Sequence, residues 1–242
     1  MSRDEPVLVI GGTRGTGFLI ARVLHQKGTA VRVLARDPAR AALRLGPGIQ
    51  VVFGDITRKA TLPAAVTGAR HIVFTAGCRS GRPVAEAQVK ATEYEGVLNT
   101  LASAREAGFA GRLLYMTSSA VRARSFWTLA LNVYKGNTLV WRRRAEDEIR
   151  ASGLEYTIIR TGMLTNSPGG SREVELTQRA LPLSPRYRIA RADVAAAFVA
   201  ALDHPHAARA TFEIAWSRGE RRADWADLMQ ALVPDHLPTK TD

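Results

Sequence analysis

Glycines at 11, 15 and 17, with Thr13, Arg14 and Thr16 among them, follow directly on the apolar run Val7-Leu8-Val9-Ile10. Glycine permits a tight turn and a close approach of backbone to ligand, and the free amides of a helix start attract negative charge. Strand, glycine turn and helix start in this order hold the pyrophosphate of a dinucleotide. A second apolar segment, residues 30–34, ends at Ala35-Arg36-Asp37, roughly twenty residues past the loop, where the adenosine ribose is read. A carboxylate there marks NAD, whereas an arginine accommodates the 2′-phosphate of NADP. Arg36 therefore predicts NADP(H) in preference to NAD(H), with Arg14 and Arg40 able to add charge-assisted contacts to the same phosphate. Asp37 can reach a ribose hydroxyl or cap the next turn. Asp55-Ile56 and Thr75-Ala76-Gly77 follow the next two apolar runs, at ends that face the cofactor. The Asp55 carboxylate can accept from the exocyclic amine of adenine or serve as a turn residue after Gly54.

Positioning these residues takes a regular alternation of elements. Strand-like runs occur at residues 7–10, 30–34, 49–53, 71–75, 112–117 and 156–160, and helical segments separate most of them. Residues 18–25 continue the glycine loop as a helix. Apolar spacing predicts helices over 88–107 and 137–151, the latter capped by Asn137 and closed by Ser152-Gly153. Alternation of this kind predicts an α/β protein of Rossmann type, a doubly wound parallel sheet with crossover helices. Beyond the sixth strand come an irregular stretch at 165–185, a helix at 192–202, a strand at 211–216 and a last helix at 225–232. The expectation is a single NAD(P)-binding domain over 1–242, with residues 161–242 contributing a cap on the substrate side. The 165–185 stretch reads as a substrate lid or as a disordered connector.

The chain of 242 residues can bury a sizeable core. It shows no secretory leader and no apolar run of the roughly eighteen residues that suggest a membrane helix, so the expectation is a soluble, cytoplasmic protein without membrane partners. Cys78 is the single cysteine, which rules out an intramolecular disulfide and a multi-thiolate zinc site. No histidine and carboxylate arrangement suggests metal binding; His204 and His206 flank Pro205 in an expected surface loop. The formal charge of +12 comes mostly from arginine. Apart from Arg142-Arg143-Arg144 the basic residues are scattered, without the aromatic interleaving that stacks single-stranded bases, which argues against nucleic acid.

Several segments together resemble a known group: the glycine loop, Ala-Arg-Asp-Pro at 35–38, Gly54-Asp55, Thr117-Ser118-Ser119, Arg144-Ala145-Glu146 running on to residues 152–160, and Arg191-Ala192-Asp193-Val194-Ala195. The chain is similar to atypical short-chain dehydrogenases/reductases, in particular the NAD(P)H-binding subgroup with NmrA-like proteins and flavin or biliverdin reductase relatives. One departure is Arg14, which stands where atypical members more often carry the middle glycine. The superfamily uses a tyrosine and, four residues later, a lysine on the helix after the fifth strand. Aligned on Ala145-Glu146, the resemblance puts Thr138 at the tyrosine position and Arg142 at the lysine position, one turn apart on a single face. Arg142 can donate to the nicotinamide ribose, but a threonine hydroxyl is too weak an acid to protonate an alkoxide at neutral pH. Tyr134, a further turn back, replaces the missing phenol only if the helix starts early, and Gly136-Asn137 argues for a loop there. The resemblance gives Ser118 and Ser119 the place from which a substrate carbonyl is oriented, the alternative being a turn motif.

Two functions follow. One is an NADPH-dependent reductase of a quinone, flavin or other conjugated small-molecule acceptor, which needs no strong enzyme acid. The other is an NADP(H)-sensing regulator that acts on a protein partner. Phe126, Trp127 and Met163 point to an apolar or aromatic ligand, or to core packing, and segments 78–83, 120–134 and 163–185 are the expected pocket walls. A homodimer is the default assembly.

Overall fold

The computed structural model describes residues 5–78, 84–123, 126–182, 184–219 and 224–236, without the side chains of Phe126 and Trp127. Expected pocket residues 79–83 and the proposed ligand contacts of those two aromatic side chains lie outside the described residues.

Eight strands form one sheet: β1 (Val7–Ile10), β2 (Val31–Ala35), β3 (Gln50–Phe53), β4 (His71–Phe74), β5 (Arg112–Ser118), β6 (Glu155–Thr161), β8 (Val174–Thr177) and β10 (Ala210–Trp216). Their order is β3-β2-β1-β4-β5-β6-β10-β8, parallel throughout except for the last pair. A small separate pair joins β7 (Met163–Thr165) to β9 (Arg188–Ala190). From β1 the chain winds outward to β2 and β3, then crosses back to β4 on the other side of β1 and winds the opposite way, so a crevice opens beyond the carboxyl ends of β1 and β4, where ligands bind in open sheets of this kind.

Side-chain alternation explains the layers. Val7 and Val9 of β1 pack into one core with α1 (Gly15–Gln26) and α8 (Arg191–Ala201), while Leu8 and Ile10 pack into the opposite core. That second core is covered by α3 (Pro63–Val66), by α5 (Gly96–Glu106) and by α7 (Thr138–Ala151). Strands buried on both faces read as continuous apolar runs, which is why β1 and β4 are uniformly apolar or nearly so. The remaining helices are α2 (Pro38–Leu45), α4 (Glu86–Lys90), α6 (Phe126–Tyr134) and α9 (Trp225–Gln230). Between α4 and α5 the helix does not break but passes through a π turn, Ala91–Glu95.

The structure corrects several expectations. Helix α1 begins inside the glycine loop, at Gly15, not at residue 18. Asn137 does not cap α7 with its side chain: it adopts φ 58°, and the amide of Leu139 donates instead to Asn132 Oδ1 at 3.0 Å. Tyr134 is the last residue of α6, not part of a loop. The stretch 165–185 is not irregular throughout, because β8 within it pairs with β10 and extends the main sheet. No described helix is long and apolar enough to cross a membrane.

Candidate nucleotide and acceptor site

The glycine loop is shaped by close packing against the end of β4. Gly11 adopts φ +89°, and a Cβ there would lie 2.7 Å from the Ala76 amide nitrogen. A Cβ on Gly17 would lie 2.4 Å from Thr75 Oγ1 and 2.5 Å from the Gly11 carbonyl oxygen, closer than any side chain tolerates. Thr75 Oγ1 in turn donates to the Ile10 carbonyl at 3.1 Å and ties the two strand ends together. The first turn of α1 carries amides with no intrahelical acceptor, so the loop presents donors and a positive helix end to the crevice.

A cleft of about 1230 Å³ opens above it. Its walls include all the residues read from the sequence as cofactor contacts: Gly11, Thr13, Arg14, Gly15, Thr16, Gly17, Arg36, Arg40, Asp55, Ile56, Thr75, Ala76 and Gly77. Arg36, just past β2, and Arg40 and Arg44, on α2, all border the cleft, exposed and without a carboxylate partner among the described residues; Arg44 lies over the Phe18 ring. Asp37 is committed to α2: its Oδ1 accepts from the Arg40 amide at 3.0 Å. Asp55 likewise serves a turn, accepting from the Thr57 amide at 3.0 Å and the Thr57 hydroxyl at 2.9 Å, while still bordering the cleft.

The candidate catalytic residues separate into two groups. Ser118 and Arg142 line the cleft, and with Thr138 they also line a side pocket of about 150 Å³. Ser119 and Tyr134 line neither. Ser119 is buried near Glu213 of β10, its hydroxyl without a hydrogen-bond partner, because the turn after β5 faces it away from the crevice. Tyr134 sits half exposed on the outside of α6. Met163 does border the cleft, close to half exposed.

The residue that organises this end of the cleft is Glu93, which sequence reading missed. It lies in the π turn with 2% exposure, a buried carboxylate among Val89, Val97 and Leu101 at four-residue intervals. A glutamate inside such an apolar stripe was the available signal. Glu93 Oε2 accepts from Arg142 Nε at 2.8 Å and from the Thr138 hydroxyl; Oε1 accepts from the Cys78 amide at 2.9 Å and from Arg142 Nη2 at 3.3 Å. Burial alone would push this carboxyl up, but the charge of Arg142 and the hydrogen bonds from Arg142, Thr138 and Cys78 outweigh it and hold it below the ordinary carboxylate range. Burial of Arg142 is likewise overridden by Glu93, so the guanidinium stays firmly charged. Gly77 makes room for the pair: a Cβ there would lie 2.8 Å from Arg142 Nη2. Burial and the nearby Glu93 raise the Cys78 thiol, which therefore stays protonated at neutral pH.

A second unanticipated residue is Arg191, at the start of α8. It borders the cleft beside Gly15 and donates through Nη1 to Asn166 Oδ1 at 2.7 Å.

A family model described as NAD(P)H-binding matches residues 11–205. The chain belongs to this NAD(P)H-binding family, among the atypical short-chain dehydrogenases/reductases. The match spans the glycine loop, the arginine cluster, Glu93 and Arg142 together. In sequence, this family member is 29% identical over 249 residues to sanguinarine reductase of Eschscholzia californica, covering 88% of this chain and 89% of that protein. In structure it is similar to a putative NAD-dependent epimerase/dehydratase from Bacillus halodurans, with TM-score 0.78, 22% identity and 94% and 100% of the two chains covered. It is also similar to ChuY, an anaerobilin reductase from Escherichia coli O157:H7, with TM-score 0.71, 22% identity and 89% and 99% covered. The two structural likenesses confirm the Rossmann-type fold read from the strand alternation.

Proposed function

We propose that this NAD(P)H-binding protein is an NADPH-dependent reductase of a conjugated small-molecule acceptor, such as a quinone, a flavin or an enone. The observation that carries the reading is the state of the two residues that the resemblance puts at the superfamily's tyrosine and lysine positions. The Thr138 hydroxyl donates to Glu93 and so has no proton to give a substrate, whereas Arg142 keeps a fixed positive charge at the border of the cleft. A site with a charge but no acid suits a substrate that accepts hydride and leaves as a stabilised anion.

The cleft residues fit a nicotinamide dinucleotide. The loop from Gly11 to Gly17 would hold the pyrophosphate, with Arg14 and Arg191 beside it, and Asp55, Ile56 and residues 75–77 would line adenine and ribose. Arg36 and Arg40 favour NADP(H), since their charges have no protein partner and Asp37 is occupied by its capping bond. When bound there in reduced form, the cofactor supplies a hydride, two electrons with one proton, and the second proton of the reduction comes from water. Ser118 and Arg142 then act on the acceptor, Ser118 by hydrogen bonding and Arg142 by attracting the charge that develops on it. The reductase names of sanguinarine reductase and ChuY support reduction as the reaction class.

The test is a titration of the purified protein with NADPH and with NADH, followed by loss of nicotinamide absorbance on adding a panel of quinones, flavins and enones. Turnover with NADPH is the expected result. Tight binding with no turnover on any acceptor would refute the reductase and favour the NADP(H)-sensing regulator.

A further inference from the structure

The side pocket beyond Arg142 has a composition that the nucleotide cleft does not explain. It is walled by Val84, Val89, Leu131 and Leu139 and ends at the Glu93, Thr138 and Arg142 cluster, sharing Cys78, Val84, Ser118 and Arg142 with the cleft. A pocket of about 150 Å³, aliphatic on one side and polar at the Glu93 end, has room for one benzene ring. Arg142 commits Nε and Nη2 to Glu93, and no acceptor among the described residues takes its Nη1 hydrogens. Lys135 also lines the wall, with its ammonium 5.8 Å from the centroid of the Tyr134 ring, and among the described residues the other ionisable groups there are Glu93 and the protonated Cys78.

We propose that this pocket is the acceptor subsite, that it takes a single conjugated ring bearing a carbonyl oxygen, and that Glu93 is the positioning residue which leaves Arg142 Nη1 as the donor to that oxygen. The inference rests on the reductase reading and gives it a substrate class: one-ring quinones and ring-conjugated carbonyls. On reduction the acceptor carbon gains the hydride, the π pair moves onto the oxygen, and the resulting oxyanion lies against Arg142 until water protonates it. The guanidinium carries both its orientation and a partly neutralised charge from Glu93, so oxygen is attracted without the anionic product being trapped.

The experiment uses 4-nitrophenol, a one-ring probe whose ionised form absorbs in the visible, titrated against pH on protein loaded with NADP⁺. The wild type is expected to lower the apparent pKa of the bound probe by about one unit, a tenfold shift toward the phenolate. Glu93→Gln is expected to lower it further, because a neutralising charge is gone, while slowing quinone turnover about tenfold because the guanidinium is no longer held. Arg142→Met is expected to abolish the shift. A residue with a purely structural role would not move the ionisation of a bound probe in protein that remains folded. Leu131→Trp fills the pocket without touching the ion pair, and is expected to retain NADPH binding and lose the probe. Equal probe ionisation in wild type, Glu93→Gln and Arg142→Met, or unimpaired probe binding by Leu131→Trp, overturns the subsite. The expected spectral shifts in a wild type that turns over no acceptor would support the subsite and reject the reductase reading.

Discussion

Replacing Arg36 by glutamate reverses one charge at the end of β2 and tests the cofactor assignment directly. Arg36 is exposed, has no carboxylate partner among the described residues, and stands next to an aspartate whose side chain is already bonded to the Arg40 amide. The substitution should therefore disturb little in the free protein. A unit charge pair about 4 Å apart contributes about 1 kcal/mol in a water-like medium, and a phosphate monoester carries between one and two charges at neutral pH. Losing the attraction and gaining a repulsion gives about 3 kcal/mol, which salt screening and the remaining Arg40 and Arg44 reduce to about 2 kcal/mol. NADPH should bind about thirtyfold more weakly, whereas NADH, which lacks the phosphate, should change by less than about threefold. Fluorescence titration of both nucleotides at two ionic strengths is the assay, and the NADPH loss should shrink at the higher salt. Equal weakening of the two nucleotides, or none for NADPH, would refute the placement of the 2′-phosphate at Arg36.

Other substitutions probe the remaining parts. Gly17→Ala puts a methyl 2.4 Å from Thr75 Oγ1, so the loop must move by roughly 1 Å and both nucleotides should bind on the order of a hundredfold more weakly; isothermal titration would show it, and wild-type affinity would mean the loop tolerates the shift. Arg191→Ala removes a charge beside the glycine loop and should weaken NADPH and NADH alike, by about fivefold, so a selective effect on NADPH would place Arg191 at the wrong end of the cleft. Glu146 is fully buried and bonded to Arg160 at 3.1 Å and to Arg150 at 3.0 Å; Arg150 also pairs with Asp147 and Asp235, but Arg160 would keep only a 3.6 Å contact to Glu213, so Glu146→Ala should cost about 3 kcal/mol in chemical denaturation by leaving the buried Arg160 charge poorly paired. Glu213 behaves oppositely: burial raises its carboxyl above the ordinary value, so its ionisation opposes folding increasingly as pH rises through the unfolded value. Glu213→Gln keeps an acceptor for the Leu181 amide and should stay within about 1 kcal/mol of wild type at neutral pH or gain stability. Its advantage should fade as pH falls below the unfolded carboxylate value; a loss above about 2 kcal/mol at pH 7 would contradict this.

The parallel strands and the nucleotide loop were legible because their physics is local. A strand buried on both faces must be apolar along its length, and a loop that packs a helix start against two strand ends must be glycine where Gly11 and Gly17 stand. What escaped depends on partners distant in sequence. Val174–Thr177 carries Glu175 and looks like loop until β10 supplies an antiparallel partner, and three-residue strands such as Met163–Thr165 and Arg188–Ala190 carry too few side chains to show a period. Helix α2 is only eight residues long and buries Ala41 and Leu45 while exposing Leu43 almost fully, so its apolar face is too short to read. In the site, adjacent serines take opposite fates, Ser118 toward the cleft and Ser119 toward Glu213, a difference set by the turn that follows β5. Glu93 was visible as a charge in an apolar stripe, but its partners lie 15, 45 and 49 residues away.

The π turn at Ala91–Glu95 also bears on how the chain can vary. Such a turn holds one residue more than an α-turn, and in an ordinary helix one residue is about 100° of rotation. The segment before it aims Val89 at the side pocket, whereas the segment after it aims Val97 and Leu101 at the core under the sheet. Deleting a single residue between 91 and 95 would leave a good helix that can satisfy only one of those two surfaces. The extra residue thus acts as a phase joint: substitutions that reshape the acceptor end need not be matched by repacking of the core half, and the two ends of one continuous helix can diverge at different rates.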